Sequence, residues 1–115
     1  MLAIGPGTKI HLATGWTDMR KGFNGLYALV KHVLGEDPLS GHLFVFCNRR
    51  RDCLKLFVFD GSGMWVCAKR LERGTYRWPQ AEGPVVVMDA TQLHLLIGGI
   101  DLGAGRPRRW WRKSL

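Results

Sequence analysis

Asp60-Gly61-Ser62-Gly63 stands between two runs of β-forming side chains, Cys53–Asp60 and Met64–Leu71, and this arrangement commits the middle of the chain to an antiparallel hairpin. With Gly61-Ser62 as a two-residue turn, Asp60 faces Gly63 and the register of the whole hairpin follows. One face then carries Lys55, Phe57, Phe59, Met64, Val66, Ala68 and Arg70, the other Leu54, Leu56, Val58, Trp65, Cys67 and Lys69. Both faces are largely apolar, which predicts a sheet covered on two sides, with its charge toward the end away from that turn. Upstream, His42–Cys47 is a further β-rich run closed by Asn48-Arg49-Arg50-Arg51, so three strands are expected in an antiparallel meander. Glu72-Arg73-Gly74 reads as another turn, with Thr75–Trp78 as a short additional strand stopped by Pro79.

The flanks supply the helices. Residues 8–14 alternate polar and apolar after the Gly5-Pro6-Gly7 turn and read as a short strand. Thr17 and Asp18 offer capping oxygens ahead of Met19, Phe23, Leu26, Val30 and Val33, whose spacing predicts an amphipathic helix over 18–34 closed by Gly35 and Pro38. Val85–Met88 reads as a buried strand. Asp89 or Thr91 then caps a helix through Leu93, Leu96 and Ile97 that Gly98-Gly99 ends. At 115 residues and 46% hydrophobic, the chain has apolar mass for one core but not for two. The expectation is a single α+β domain over residues 1–102: an antiparallel meander of about four or five strands, an N-terminal amphipathic helix and a short C-terminal one. Residues 103–115, basic and tryptophan-containing, have no core periodicity and are expected to move freely until bound.

Charge is unevenly distributed. The net charge is +8, from 17 Lys+Arg against 9 Asp+Glu. Residues 1–48 sum to +1, 49–77 to +5, 78–105 to −3 and 106–115 to +5. Two basic blocks result, and such clustering fits a polyanion, most often nucleic acid. The first block is Arg49, Arg50 and Arg51 on a turn, with Lys69, Arg70 and Arg73 near the end of the third meander strand. A meander places that turn beside that strand end, so the block forms one positive rim that binds phosphate without a base code. The second is the tail, where Arg106, Arg108, Arg109, Arg112 and Lys113 neutralise phosphate while Trp110 and Trp111 stack on exposed bases. Each block also has a plainer reading: a solvated loop paired with Asp52 and Glu72, and a solubilising end whose tryptophans fold back on the body.

Enzyme signatures are missing from the sequence. Asp18, Asp60, Glu72, Asp89 and Asp101 sit at turns, caps and helix exits, whereas two-metal chemistry needs carboxylates converging on a rigid scaffold. His11, His32, His42 and His94 are scattered, and the chain has no HExxH, Walker loop or GxGxxG. Arg20 and Lys21 near a helix start can hold a phosphate, but Asp18 competes for the same amides. Cys47, Cys53 and Cys67 make an odd set with no CxxC, which fits free thiols in a reducing cytoplasm rather than a disulfide framework or zinc site. No apolar run reaches the ~18 residues of a membrane span and no secretory leader pattern opens the chain, so a cytoplasmic protein without cofactor or metal is expected.

Thr17-Asp18-Met19-Arg20-Lys21-Gly22-Phe23, Ser40-Gly41-His42-Leu43-Phe44-Val45-Phe46, Lys69-Arg70-Leu71-Glu72-Arg73-Gly74, Trp78-Pro79 and Gly99-Ile100-Asp101 occur in this order. In these strings, spread over residues 5–101, the chain resembles the TnpB accessory family of the insertion sequence 66 bacterial mobile elements, which is distinct from the RNA-guided nuclease sharing that name. The resemblance implies a small non-catalytic factor needed for transposition alongside a separate DDE transposase, and it carries no catalytic residues with it. The basic blocks make element DNA, such as the transposon ends, or its complex with the transposase the expected partner, and the resemblance adds the transposase and other proteins of the same element. The rival readings are a protein-interaction module that docks on the transposase and a small metal-dependent nuclease.

Overall fold

In a computed structural model of the protein, residues 5–98 are described. Five strands, β1 (Ile10–Ala13), β2 (Leu43–Cys47), β3 (Cys53–Phe59), β4 (Met64–Arg70) and β5 (Val85–Met88), and two helices, α1 (Phe23–His32) and α2 (Ala90–Ile97), follow in the order β1-α1-β2-β3-β4-β5-α2. The strands form one sheet in the order β4-β3-β2-β1-β5. β2, β3 and β4 are the expected meander, with Phe59 opposite Met64 and the Asp60 N–H donating to the Gly63 carbonyl at 3.0 Å. That register is the one the Gly61-Ser62 turn dictates.

The sheet departs from a pure antiparallel meander at β1, which pairs parallel with β2 and antiparallel with β5. The parallel pair exists because α1 crosses between β1 and β2 and returns the chain to the same end of the sheet. Leu26 and Val30 of α1 pack with Ala13, Phe44, Phe46 and Phe57 on one face. Leu26 and Val30 are wholly buried, each contributing ~1.5–3 kcal/mol by removal from water. Leu93 and Leu96 of α2, with Leu71 and Tyr76, cover Ile10, Leu12, Leu43, Val45 and Leu54 on the other face. The sheet is thus enclosed on two sides, as the hairpin's paired apolar faces predict, and the class is α+β.

Two local expectations give way to other contacts. α1 starts at Phe23 rather than near residue 18, because the Asp18 carboxylate accepts from the Arg20 N–H (2.9 Å) and guanidinium (2.7 Å) and closes a separate turn. Gly22 therefore occupies the N-cap without a side-chain cap. Thr75–Trp78 is not a strand: it folds over the sheet end, where the Tyr76 N–H donates to the Arg51 carbonyl (2.7 Å) and Trp78 Nε1 to the Ala13 carbonyl (2.8 Å). α2, by contrast, has the predicted Asp89 cap, reinforced by Gln92 in a reciprocal capping box.

Candidate nucleic-acid interface

The ends of β1, β2 and β4 and the starts of β3 and β5 meet at one end of the sheet. There the chain reverses from β2 into β3 through residues 48–52, and Asn48 organises the reversal. Its Oδ1 accepts from the Asp52 N–H (3.0 Å) and Cys53 N–H (3.1 Å), and its Nδ2 donates to Asp52 Oδ1 (2.7 Å). The Arg51 N–H closes on the Asn48 carbonyl at 3.2 Å with φ +60°, a left-handed conformation that the surrounding bonds impose. Arg49 and Arg50 occupy the tip of this turn and are exposed.

The six described cations of the predicted rim divide by orientation. Arg51 turns inward: its Nη2 donates to the Thr14 carbonyl at 3.2 Å and its guanidinium lies 5.5 Å from the Trp78 ring centroid. Lys69 points toward the α2 side and donates from Nζ to the Ile97 carbonyl at 3.0 Å, a cation on a helix C-terminus. Arg70, opposite Cys53 at the end of the ladder, shares the α1 side with Lys55, and Arg73 follows in the exposed loop. That loop is tied to the turn by the Leu71 N–H donating to the Asp52 carbonyl at 2.7 Å. Arg49, Arg50, Arg70 and Arg73 are therefore exposed at one end of the sheet. Among the described residues the ion pairs are Arg20–Asp18 and His11–Glu36, so no carboxylate neutralises these four. Asp52 instead serves Asn48. Arg106, Arg108, Arg109, Trp110, Trp111, Arg112 and Lys113 lie outside the described residues, as does Asp101.

Lys55 is a basic neighbour that the expected rim left out. Lys55 Nζ donates to the Lys21 carbonyl at 2.9 Å, which draws the loop before α1 toward the Arg70 side of β3 and β4. A Cβ on Gly25 would meet Lys21 Cβ at 3.0 Å, so glycine there lets the Lys21 stem cross the first turn of α1. Only the alternation that put Lys55 and Arg70 on one face foreshadowed this cluster.

The carboxylates have structural partners. Asp60 accepts from the backbone N–H groups of Ser62 and Gly63, from the Ser62 hydroxyl and from Trp65 Nε1. These bonds, the Ser62 amide first, hold its carboxyl far below the usual range. Asp18 is held down to about 2, chiefly by the Arg20 guanidinium. Burial pushes the Cys47 thiol up to about 11, against the opposing pull of Arg51, so it stays protonated and poorly nucleophilic at neutral pH. Among the described residues no three His, Cys, Asp or Glu side chains converge as metal ligands, and no helix is long and apolar enough to cross a membrane.

A cleft of about 470 Å³ opens at the same sheet end on the α1 side, between the 14–17 loop, the later turns of α1 and residues 81–84. Trp16 stands on its wall, 59% exposed.

A five-stranded sheet between two helices, with Arg49, Arg50, Arg70 and Arg73 exposed at one end, defines a small α+β protein. The chain belongs to the IS66 Orf2-like family, whose model matches residues 8–107. It is 43% identical over 114 residues to the uncharacterized protein y4hO of Sinorhizobium fredii, an overlap of 99% of this chain and 97% of that one. To the uncharacterized protein y4jC of the same organism it is 41% identical over 100 residues, covering 85% and 86%. No solved structure matches. A transposition-associated accessory role goes with the family, which is not a known class of enzyme.

Proposed function

We propose that this chain is a non-catalytic accessory protein of transposition that holds element DNA, alone or together with the transposase, on the basic end of its sheet. The observation that carries the reading is that Arg49, Arg50, Arg70 and Arg73 stand exposed at one end with no carboxylate paired to them among the described residues. Guanidinium groups left unneutralised keep their full attraction for phosphate and release its counterions on binding. Arg51 and Lys69 serve a different purpose in this reading. Held by Thr14, Trp78 and Ile97, they fix the turn and the strand end that present the other four. The tail, with five more cations and two tryptophans over residues 106–115, adds groups of the kinds that meet phosphate and stack on bases. Backbone phosphate contacts position a protein without reading sequence, so discrimination among DNA sequences is modest.

A gel shift with duplex DNA from the element ends tests this. Replacing Arg49, Arg50, Arg70 and Arg73 with alanine lowers affinity at least tenfold, and removing residues 103–115 lowers it further. Equal shifts by the parent and the fourfold variant would contradict the proposal. Retention on transposase in nuclease-treated lysate, with no shift of naked DNA, would assign the surface to a protein partner instead.

A further inference from the structure

We propose that Trp16 is a stacking platform for an unpaired base, so that the nucleic acid held at the basic end presents single-stranded nucleotides there. The inference rests on the reading that this end meets phosphate, and it adds the form of nucleic acid that is bound.

Three observations converge on Trp16. The first is its exposure. Trp78 donates its indole N–H to the Ala13 carbonyl at 2.8 Å and Trp65 donates to Asp60 at 2.7 Å, whereas Trp16 makes no such bond among the described residues and is 59% exposed. A large aromatic surface left in water forgoes the burial that ordinarily places tryptophan in cores and interfaces.

The second is rigidity and position. The Thr17 N–H donates to the Cys47 carbonyl at 2.8 Å, and Arg51 Nη2 reaches the Thr14 carbonyl at 3.2 Å. These bonds clasp the loop on both sides of Trp16 to the strand end and turn that carry Arg49 and Arg50. On its far side the Thr14 hydroxyl donates to the Gly83 carbonyl at 2.8 Å, and the Thr14 N–H to the Pro84 carbonyl at 3.0 Å. The indole is therefore presented from a braced loop whose hydrogen bonds lead directly into the arginine turn.

The third is the cleft beside it, about 470 Å³, with Leu29, Val33, Phe46 and Pro84 in its walls. Glu82 is the charged residue of its lining, so the apolar walls suit the faces of a base rather than its phosphate, which would lie toward the turn that carries Arg49 and Arg50 at the same sheet end. Stacking on an aromatic ring tolerates any base, in keeping with a phosphate-led interface. A fully paired blunt duplex keeps its bases in the stack and offers Trp16 little.

The test is fluorescence anisotropy with two labelled DNAs: a blunt duplex of the element end and the same duplex carrying a single-stranded overhang. Trp16→Ala, Trp16→Phe and Arg49→Ala are compared with the parent after thermal melts show that each is folded. The parent binds the overhang DNA more tightly. Trp16→Ala removes roughly 5- to 150-fold of that affinity, the range of one base stack. It leaves the blunt-duplex affinity and the salt slope unchanged, and Trp16→Phe retains most of the preference. Arg49→Ala weakens both DNAs alike. Equal binding of the two DNAs by the parent, or an undiminished preference in Trp16→Ala, would overturn the inference while leaving the basic end intact. So would a Trp16→Ala protein that binds both DNAs normally but loses its hold on transposase, since the cleft would then be a protein site. Failure of the parent to bind either DNA at low salt defeats the basic-end reading and this inference with it.

Discussion

His11 is the polar side chain most deeply committed to the core: 6% exposed, its ring stacked on Phe44 at 5.1 Å and edge-on to His42 at 5.9 Å. Its Nδ1 lies 3.5 Å from Glu36 Oε1, which favours the protonated ring, while His42 and Lys9 oppose it. Burial outweighs the glutamate and lowers the imidazole from its ordinary 6.5, so His11 is neutral in the folded protein at neutral pH. The unfolded chain then binds the extra proton more readily, and the stability this contributes is present above pH 6.5 and lost as the pH falls below it. Denaturant melts between pH 7.5 and pH 5.5 are expected to show this decline, and His11→Gln, neutral throughout, flattens it. The depressed carboxyls of Asp18 and Asp60 act lower, below their ordinary 3.8, so the two windows separate. Asp60→Ala removes the acceptor for two turn amides and the Trp65 indole, and a lower melting temperature with altered Trp65 emission is the expected result.

At the scale of elements, α1 and α2 hold opposite faces of the sheet for different reasons. α1 has no side-chain cap and depends on its buried stripe, so Leu26→Ala is expected to cost ~2–5 kcal/mol in chemical denaturation. α2 is short and capped at both oxygens of its box, and Asp89→Ala is expected to cost about 1 kcal/mol by the same measurement. The hairpin, its register and its two apolar faces were legible because a period of two and a Gly-rich turn are local signals. The parallel pairing of β1 with β2 was not, since Ile10–Ala13 is buried at every position and its direction is set by where α1 delivers the chain. Asp18 looked like a cap because nothing in the sequence shows that Arg20 claims its carboxylate. The same limit applies to the basic rim. The adjacency of Arg49 and Arg50 to Arg70 and Arg73 followed from the meander, whereas the inward turn of Arg51 depends on Thr14 and Trp78, which are distant in the chain. Asn48, which shapes that turn, gave no signal apart from its residue type.

For the whole molecule, charge decides more than shape. Residues 49–77 carry +5 of the net +8, and folding brings four of those cations to one end without carboxylate partners among the described residues. Self-repulsion of that kind is mildly destabilising and is relieved by a polyanion. The most direct measurement is the slope of log K against log salt for binding to element-end duplex. The account predicts a steep linear fall, about 10³-fold or more between 50 and 200 mM salt if six or more phosphates are met. It also predicts that replacing Arg49, Arg50, Arg70 and Arg73 together flattens the slope by roughly 3 to 4 units. A parent protein whose affinity is flat with salt, or a fourfold variant with an unaltered slope, would contradict it.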